Sequence, residues 1–376
     1  MSLSCFSARL FSTHTLLVSL AAHAQQYTVT ELTSLDGSGS IGISLNNNGQ
    51  ATGFSGIGSK QLFNHAFLYG NSGIRDLGTL GGSNSYGHSL NDNGQIAGYS
   101  EIAGGLGNTH AFLYANDNMQ DLGTLGGSNS YGLGINVKGQ VTGMSEIAVG
   151  SAAIHAFLYA NSNMQDLGTL GGRDSAAVGV NDSGQITGYA STTDNAATHA
   201  FLYSGGVMHD LGTLGGTNSQ GYGINDSGQV TGDAYIDGDK AVHAFLFDNG
   251  AMHDLGTLGG TISQGYGIND RGQVTGSAYI SGVGDAHAFL YDDGRMVDLN
   301  LEVGSAAALY TVVSGLAIND SGEILADGYV NATGQGTTLL LTPVPIPVAL
   351  WLMLSGLGGL GVIVPQALRA RPIRMN

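Results

Sequence analysis

Basic charge and cysteine are scarce in this chain, proline is rare, and no segment carries a helical period. Of 376 residues, 11 are Lys or Arg against 28 Asp or Glu. Between Gln25 and Thr342 the basic residues are Lys60, Arg75, Lys138, Arg173, Lys240, Arg271 and Arg295 alone, while all the acids lie there. Such a surface repels nucleic-acid phosphates and anionic membranes, so nucleic acid is excluded as a partner. The single cysteine, Cys5, falls in a segment expected to be removed. The mature protein then has no disulfide, no thiolate metal site and no cysteine nucleophile. Nothing repeats every 3.6 residues, and glycine interrupts every few positions, which argues against helices.

Glycine is what the chain has most of, with 63 residues. Without a Gly-X-Y period and with five prolines, this abundance excludes collagen and fits short strands joined by tight turns. A hydrophobic fraction of 42% is enough for a core, which argues against disorder.

The sequence repeats seven times with a period of about 44 residues, and three phrases inside each block keep nearly constant spacing. The clearest copy reads His243-Ala244-Phe245-Leu246-Phe247, then Asp254-Leu255-Gly256-Thr257-Leu258-Gly259-Gly260, then Asn269-Asp270-Arg271-Gly272-Gln273-Val274-Thr275-Gly276. Six blocks carry the histidine, at His65, His110, His155, His199, His243 and His287, in steps of 45, 45, 44, 44 and 44. Each has an aspartate 11 residues later, at Asp76, Asp121, Asp166, Asp210, Asp254 and Asp298. That constancy suits a hairpin whose register tolerates no insertion. From aspartate to the next asparagine is 15 residues in five copies and 21 from Asp298 to Asn319. The stretch from glutamine to the next histidine diverges most and is the place for specific contacts.

Each block divides into four strand-like segments: His-Ala-Phe-Leu-Tyr, a second ending in Asp-Leu-Gly-Thr-Leu, a third of the Tyr222-Gly223-Ile224 type, and Gln-Val-Thr-Gly with its continuation. The chain opens and closes on halves of one hairpin. Residues Val29 to Leu35 match the Asp-Leu-Gly-Thr-Leu strand, with Glu31 in the aspartate's place, and Thr337 to Leu341 stand where His-Ala-Phe-Leu-Tyr belongs. If the array bends into a ring, those halves pair. The sequence thus predicts an all-β repeat protein, a seven-bladed β-propeller of four-stranded blades. An open β-solenoid is the alternative, and it leaves both terminal strands as exposed edges.

The two ends are addresses. Residues 1–24 hold Arg9, the apolar run Leu16 to Ala21, and Ala22-His23-Ala24. This is a signal peptide pattern with cleavage expected before Gln25. Residues 25–342 are the repeat domain. Residues 343–376 begin Pro343-Val344-Pro345-Ile346-Pro347, continue with an apolar run from Val348 to Val364, and end with Arg369, Arg371 and Arg374. The run suits a transmembrane segment at the short end of the range, with the arginines on the cytoplasmic side.

On Val344, Pro345, Ile346, Pro347, the span and the three arginines, this tail resembles the PEP-CTERM class of sorting signals. Its departure is Ile346, where the usual motif has glutamate. The resemblance implies secretion across the inner membrane, initial anchoring there, processing by an exosortase-type enzyme, and an association with exopolysaccharide. The phrase His-Ala-Phe, recurring with Asp-Leu-Gly-Thr-Leu-Gly-Gly over roughly residues 27–342, resembles the family of HAF repeat extracellular proteins. That resemblance implies an extracellular or cell-surface protein.

The histidines invite a metal site, but equivalent residues of different blades form a wide ring. They could not share one zinc at its ~2.0–2.1 Å bonds. Within a hairpin the histidine and aspartate lie diagonally on one face, so a structural imidazole–carboxylate hydrogen bond is expected, pinning each strand pair. Asn-Asp-x-Gly resembles half a calcium loop but lacks the later glutamate, and a turn with glycine at positive φ explains it better. Asp237 and Asp239, or Asp292 and Asp293, are the candidates for weak calcium binding; no other cofactor is expected. Leu-Gly-Gly-x-x-Ser lacks the lysine and helix of a phosphate loop. No unrepeated catalytic set stands out.

The function expected from these residues is a binding and structural scaffold of the cell envelope or exopolysaccharide matrix, not an enzyme, with polysaccharide or a surface protein as partner. The alternative is a lectin or propeller enzyme acting on a glycan, with acids from several blades meeting at the central opening.

Overall fold

The computed structural model describes residues 26–345 except 33, 36–38, 58–62, 105–106 and 282–283. The expected signal peptide, the apolar run, Ile346, Pro347, Arg369, Arg371 and Arg374 lie outside the described residues. Among the described residues no helix is long and apolar enough to cross a membrane.

Residues 40–76, 81–121, 130–166, 171–210, 215–254 and 259–298 form four-stranded antiparallel sheets, here blades 1 to 6. The strands pair in chain order from an inner to a second, third and outer strand. A single parallel bridge, Val242 to Ile262, links blades 5 and 6. Blade 7 takes three strands from residues 310–343, and its outer strand is the first of the chain, Tyr27–Glu31. The closing pair runs antiparallel with Tyr27 opposite Pro343 and Glu31 opposite Leu339. The fold is a closed seven-bladed β-propeller, and the solenoid alternative is set aside. Pro343, assigned to the tail from sequence, is the last residue of the closing strand.

The strand limits differ from the sequence expectation in one respect. The outer strand stops at its aspartate, as in Asn163–Asp166, and Leu-Gly-Thr-Leu links it to the next blade. The following inner strand already starts at Gly-Gly, as in Gly171–Val180. The reason lies in the aspartate and glycine. Asp166 Oδ1 accepts the Gly168 N–H at 2.8 Å, and Gly168 sits at φ +75°, so the chain turns out of the sheet there.

The core lies between blades. The phenylalanine of each His-Ala-Phe phrase is fully buried, at Phe67, Phe112, Phe157, Phe201, Phe245 and Phe289. Phe157 of blade 3 packs with Val141 and Ile135 of its own blade and with Ala97, Ala111 and Leu122 from the preceding one. Each such ring stabilises the stack by roughly 1.5–3 kcal/mol. The backbone of the facing inner strand, more than the ring, dictates the glycine of Gln-Val-Thr-Gly. A Cβ on Gly143 would stand 1.9 Å from the Tyr131 carbonyl oxygen and 2.9 Å from the Phe157 ring.

Serine staples neighbouring blades. Ser130 Oγ accepts the Ala111 N–H at 2.8 Å and donates to Gly123 O, and Ser85, Ser175, Ser219 and Ser263 repeat the contact. This is the role of Leu-Gly-Gly-x-x-Ser. The longer spacing before Asn319 holds two 3₁₀ turns, Leu299–Leu301 and Gly304–Ala308, which bury Leu299 and Val303 under blade 7.

Candidate functional site

The histidine and aspartate of each hairpin come together. Nδ1 of His65, His110, His155, His199, His243 and His287 lies 2.9, 2.8, 2.8, 2.8, 2.8 and 2.6 Å from the carboxylate of Asp76, Asp121, Asp166, Asp210, Asp254 and Asp298. The pairing is diagonal, since Phe157, two residues after His155, stands opposite Asp166. Blade 7 substitutes Thr337 and Glu31, whose Oγ1 and Oε1 lie 2.7 Å apart across the closure. These pairs are not deeply buried: the Asp166 side chain is 43% exposed. They stand in separate blades. Among the described residues no three His, Cys, Asp or Glu side chains converge as metal ligands. Asp239 is engaged by Thr217 N–H and Oγ1, and Asp292 by Gln273 Nε2.

The asparagine of each Asn-Asp-x-Gly turn does more than shape its own turn. Asn181 Oδ1 accepts the Gln185 N–H, its Nδ2 donates to Gln185 Oε1, and the same Nδ2 donates to the Asn225 carbonyl of the next blade at 3.0 Å. Every blade repeats this last bond, from Asn46 to Asn91, Asn136, Asn181, Asn225, Asn269 and Asn319. Asn319 returns it to Asn46 at 3.1 Å, so the ring closes on itself. The residue after each asparagine forms a second, outer ring. Asn47 N–H donates to Asp92 Oδ1, Val137 to Asp182, Asp182 to Asp226, Asp226 to Asp270, Asp270 to Asp320, and Asp320 to Asn47 Oδ1. Val137 offers no acceptor and interrupts it. Burial, then the neighbouring carboxylates of Asp320, Asp226 and Asp182, raise the Asp270 carboxyl, while the Asp226 N–H offsets part of this. Together these groups surround a mouth of about 180 Å³ at one end of the central channel.

Deeper in, the channel widens to a cavity of about 560 Å³. Each inner strand carries a β-bulge three residues before its asparagine. The bulged residues are Ile43, His88, Leu133, Val178, Tyr222, Tyr266 and Leu316. All seven line the cavity. A bulge bends its strand and re-aims one side chain, so a repeated backbone defect delivers a different residue from each blade to the axis. His88 Nδ1 donates to Leu133 O at 2.9 Å. Burial lowers its pKa, so the ring is neutral and its Nε2 remains an acceptor.

The position just after the Gln-Val-Thr-Gly glycine also varies between blades, and at two of the seven, Met144 and Tyr189, it lines the cavity. Its occupants are Phe54, Tyr99, Met144, Tyr189, Asp233, Ser277 and, in blade 7, Asp327. In blades 1 and 2 they are Phe54 and Tyr99, which join Tyr86 and Tyr131 in an aromatic chain with centroid spacings of 5.0, 4.9 and 5.1 Å. In blades 5 and 7 they are carboxylates. Burial raises Asp233, and it raises Asp327 to about 6. Neither the amide ring nor the bulge positions were singled out as site residues from sequence.

No protein-family model and no curated protein sequence matches the chain. Similarity to solved structures is at low sequence identity. TolB from Acinetobacter baumannii is 12% identical, over 75% of this chain and 76% of that one, with a TM-score of 0.41. Dipeptidyl peptidase 4 from Porphyromonas gingivalis is 13% identical over 82% of this chain, which covers 53% of the peptidase, with a TM-score of 0.44. A gluconolactonase from Xanthomonas campestris is 11% identical, over 86% and 93% of the two chains, with a TM-score of 0.40.

Proposed function

We propose that this protein is an exported β-propeller that serves as a binding and structural scaffold in the cell envelope or exopolysaccharide matrix, with the central cavity as its ligand site. The observation that carries this reading is the bulge: a repeated backbone feature that presents a side chain from every blade, varied between blades, to one shared cavity. Cavities of this volume, mostly apolar with a few placed polar groups, suit small ligands or one sugar unit of a polymer.

A scaffold is favoured over a glycan-active enzyme by what the repeated polar side chains already do. The asparagines close a ring, the aspartates beside them accept neighbouring N–H groups, and the histidines pin hairpins. Export and envelope sorting rest on the signal-like start and on the resemblance of the tail to exosortase-processed signals. The test is a glycan array probed with the purified full chain. Saturable binding to a defined glycan class, weakened by Tyr222→Ala and Tyr266→Ala, is expected. Binding to no glycan, or binding untouched by both changes, would remove the cavity as a glycan site.

A further inference from the structure

The seam where blade 7 meets blade 1 lacks a clamp that other junctions have. Between blades 1 and 2, Asn84 Oδ1 accepts the Asn64 N–H at 2.9 Å while its Nδ2 donates to Glu101 Oε1 at 2.8 Å. Asn129 and Glu146 repeat the arrangement between blades 2 and 3. In blade 1 the register puts Gly39 and Gly56 at the places of that asparagine and glutamate. In blade 7 it puts Gly336 at the place of Asn64. A Cβ on Gly39 would meet nothing within 4 Å. Where the clamp is missing the seam holds a cavity of about 410 Å³, whose walls include Ile41, Phe54, Asn64, Thr337 and Asp327.

Among the described residues that line it, Asp327 alone carries a charge. Phe54, its counterpart in blade 1, reaches the Tyr86 ring of the following blade at 5.0 Å between centroids, so this position is directed at the next blade. The one contact of Asp327 agrees. Its Oδ1 lies 3.5 Å from Thr338 Oγ1, which accepts the Gly42 N–H and donates to Ser40 O, both of blade 1. A hydroxyl has a single proton, and this one goes to Ser40 O at 3.0 Å, so the half-buried carboxylate has no donor of ordinary length among the described residues. Burial raises it in consequence. Elsewhere on the wall, Asn64 Nδ2 is spent on the Tyr86 hydroxyl and Thr337 Oγ1 on Glu31. A polyhydroxyl ligand finds few free partners here, whereas a single ammonium needs only the carboxylate. Ile41, 45% exposed, and Phe54 offer apolar surface to an alkyl chain.

We propose that the cavity at the seam of blades 7 and 1 binds a primary ammonium group on a short alkyl chain, the ammonium donating to Asp327 and the chain lying along Ile41 and Phe54. The site shares no lining residue with the central cavity and does not depend on the glycan reading.

The test is a ligand-observed NMR titration of the full chain with n-butylammonium and, separately, with N-butylacetamide, at pH 7.5, where Asp327 with its value of about 6 is ionised. The amide keeps the alkyl chain and removes the charge. The ammonium is expected to bind at least about tenfold more tightly, the scale of one charge-assisted hydrogen bond. Asp327→Asn keeps the shape of the side chain and should weaken the ammonium at least about tenfold. The substitution relieves a buried charge, so the melting temperature should not fall and lost binding is not lost fold. Gly336→Thr, which copies Thr109 and Thr198 at the same place in blades 2 and 4, adds bulk to the wall and should weaken both probes. Nα-acetyl-lysine N-methylamide and cadaverine, titrated in the same way, separate the two sources of such a group, a lysine side chain and a free diamine, and tighter binding of either supports the site. Wild-type affinity in Asp327→Asn would place the ammonium on another carboxylate and overturn the assignment. Equal affinity for the two probes, or binding of neither, overturns it as well.

Discussion

At the narrow mouth of the channel every blade supplies the same residue, an asparagine, whereas three residues earlier the seven blades supply Ile, His, Leu, Val, Tyr, Tyr and Leu. The bulges lie in the inner strands and the asparagines directly follow the same strands, so the difference is not one of location or fold. It is one of bonding. An asparagine must accept from its own turn and donate both within it and to the next blade, and no other side chain has that set of atoms at that length. A bulge is made by backbone, so its side chain is free to vary. Repetition marks what holds the ring together, and variation on a repeated backbone marks where the molecule can recognise something.

That contrast can be broken most severely by opening the ring. Deleting residues 25–36 removes Tyr27–Glu31, the partner of Gly336–Pro343. The loss should exceed the ~4–5 kcal/mol that marks exceptional changes, with the whole domain melting earlier in circular dichroism. An unchanged midpoint would show that closure contributes nothing. Within the amide ring, Asn181→Ala leaves the buried Asn225 carbonyl and the Gln185 side chain without their donor. About 2–3 kcal/mol should be lost in urea unfolding; a loss below half of that would mean that the ring is incidental.

Asp327 sharpens the comparison from the variable side. Its folded pKa, about 6, is raised by burial from 3.8, with Thr338 offsetting part of the effect. The folded state therefore holds the proton more firmly, and stability falls as pH rises from about 4 through 6. Asp327→Asn should add about 1–2 kcal/mol at pH 7.5 and almost nothing at pH 3.5. A gain independent of pH would assign the effect to packing. His155→Ala should cost about 1 kcal/mol, because Asp166 is partly exposed and keeps the Gly168 N–H. Added zinc should leave both proteins' melting unchanged, and a zinc-dependent rise abolished by the substitution would make His155 a ligand. The smallest change is a repair: Val137→Asn supplies the acceptor that the outer ring lacks opposite Asp92. It should add about 0.5–1 kcal/mol, and a loss in thermal melting would contradict the ring geometry.

The fold was largely legible because a β-propeller repeats its backbone requirements. The fixed step from histidine to aspartate encoded a hairpin register, and the match of Val29–Leu35 to Asp-Leu-Gly-Thr-Leu encoded closure. What stayed hidden were bonds between repeats. Asn-Asp-x-Gly was understood as a turn, which it is, with Gly184 at φ +86°. Nothing local shows that the Asn181 amide also reaches a carbonyl 44 residues away. The serine of Leu-Gly-Gly-x-x-Ser was passed over for the same reason, since its partner Ala111 lies 19 residues before Ser130 in another sheet. The cavity was hidden because a bulge shifts the alternation by one. Tyr222 and Tyr266 fall on the axis only once register is known.

Closure by the two ends of the domain also sets the order of events in folding. Thr28 meets Thr342 across 314 residues of chain. The entropy of joining ends grows only logarithmically, so this costs about 3 kcal/mol more than closing a 15-residue hairpin. The harder condition is timing. Residues 27–31 are made first and have no partner until residues 336–343 exist, so the ring stays open while blades 1 to 6 form. During that interval the first strand is an unpaired edge, and the last strand of a second copy is chemically identical to its own. Dilute chains are therefore expected to close on themselves, whereas concentrated ones are exposed to exchange of first strands, the general route to a swapped dimer.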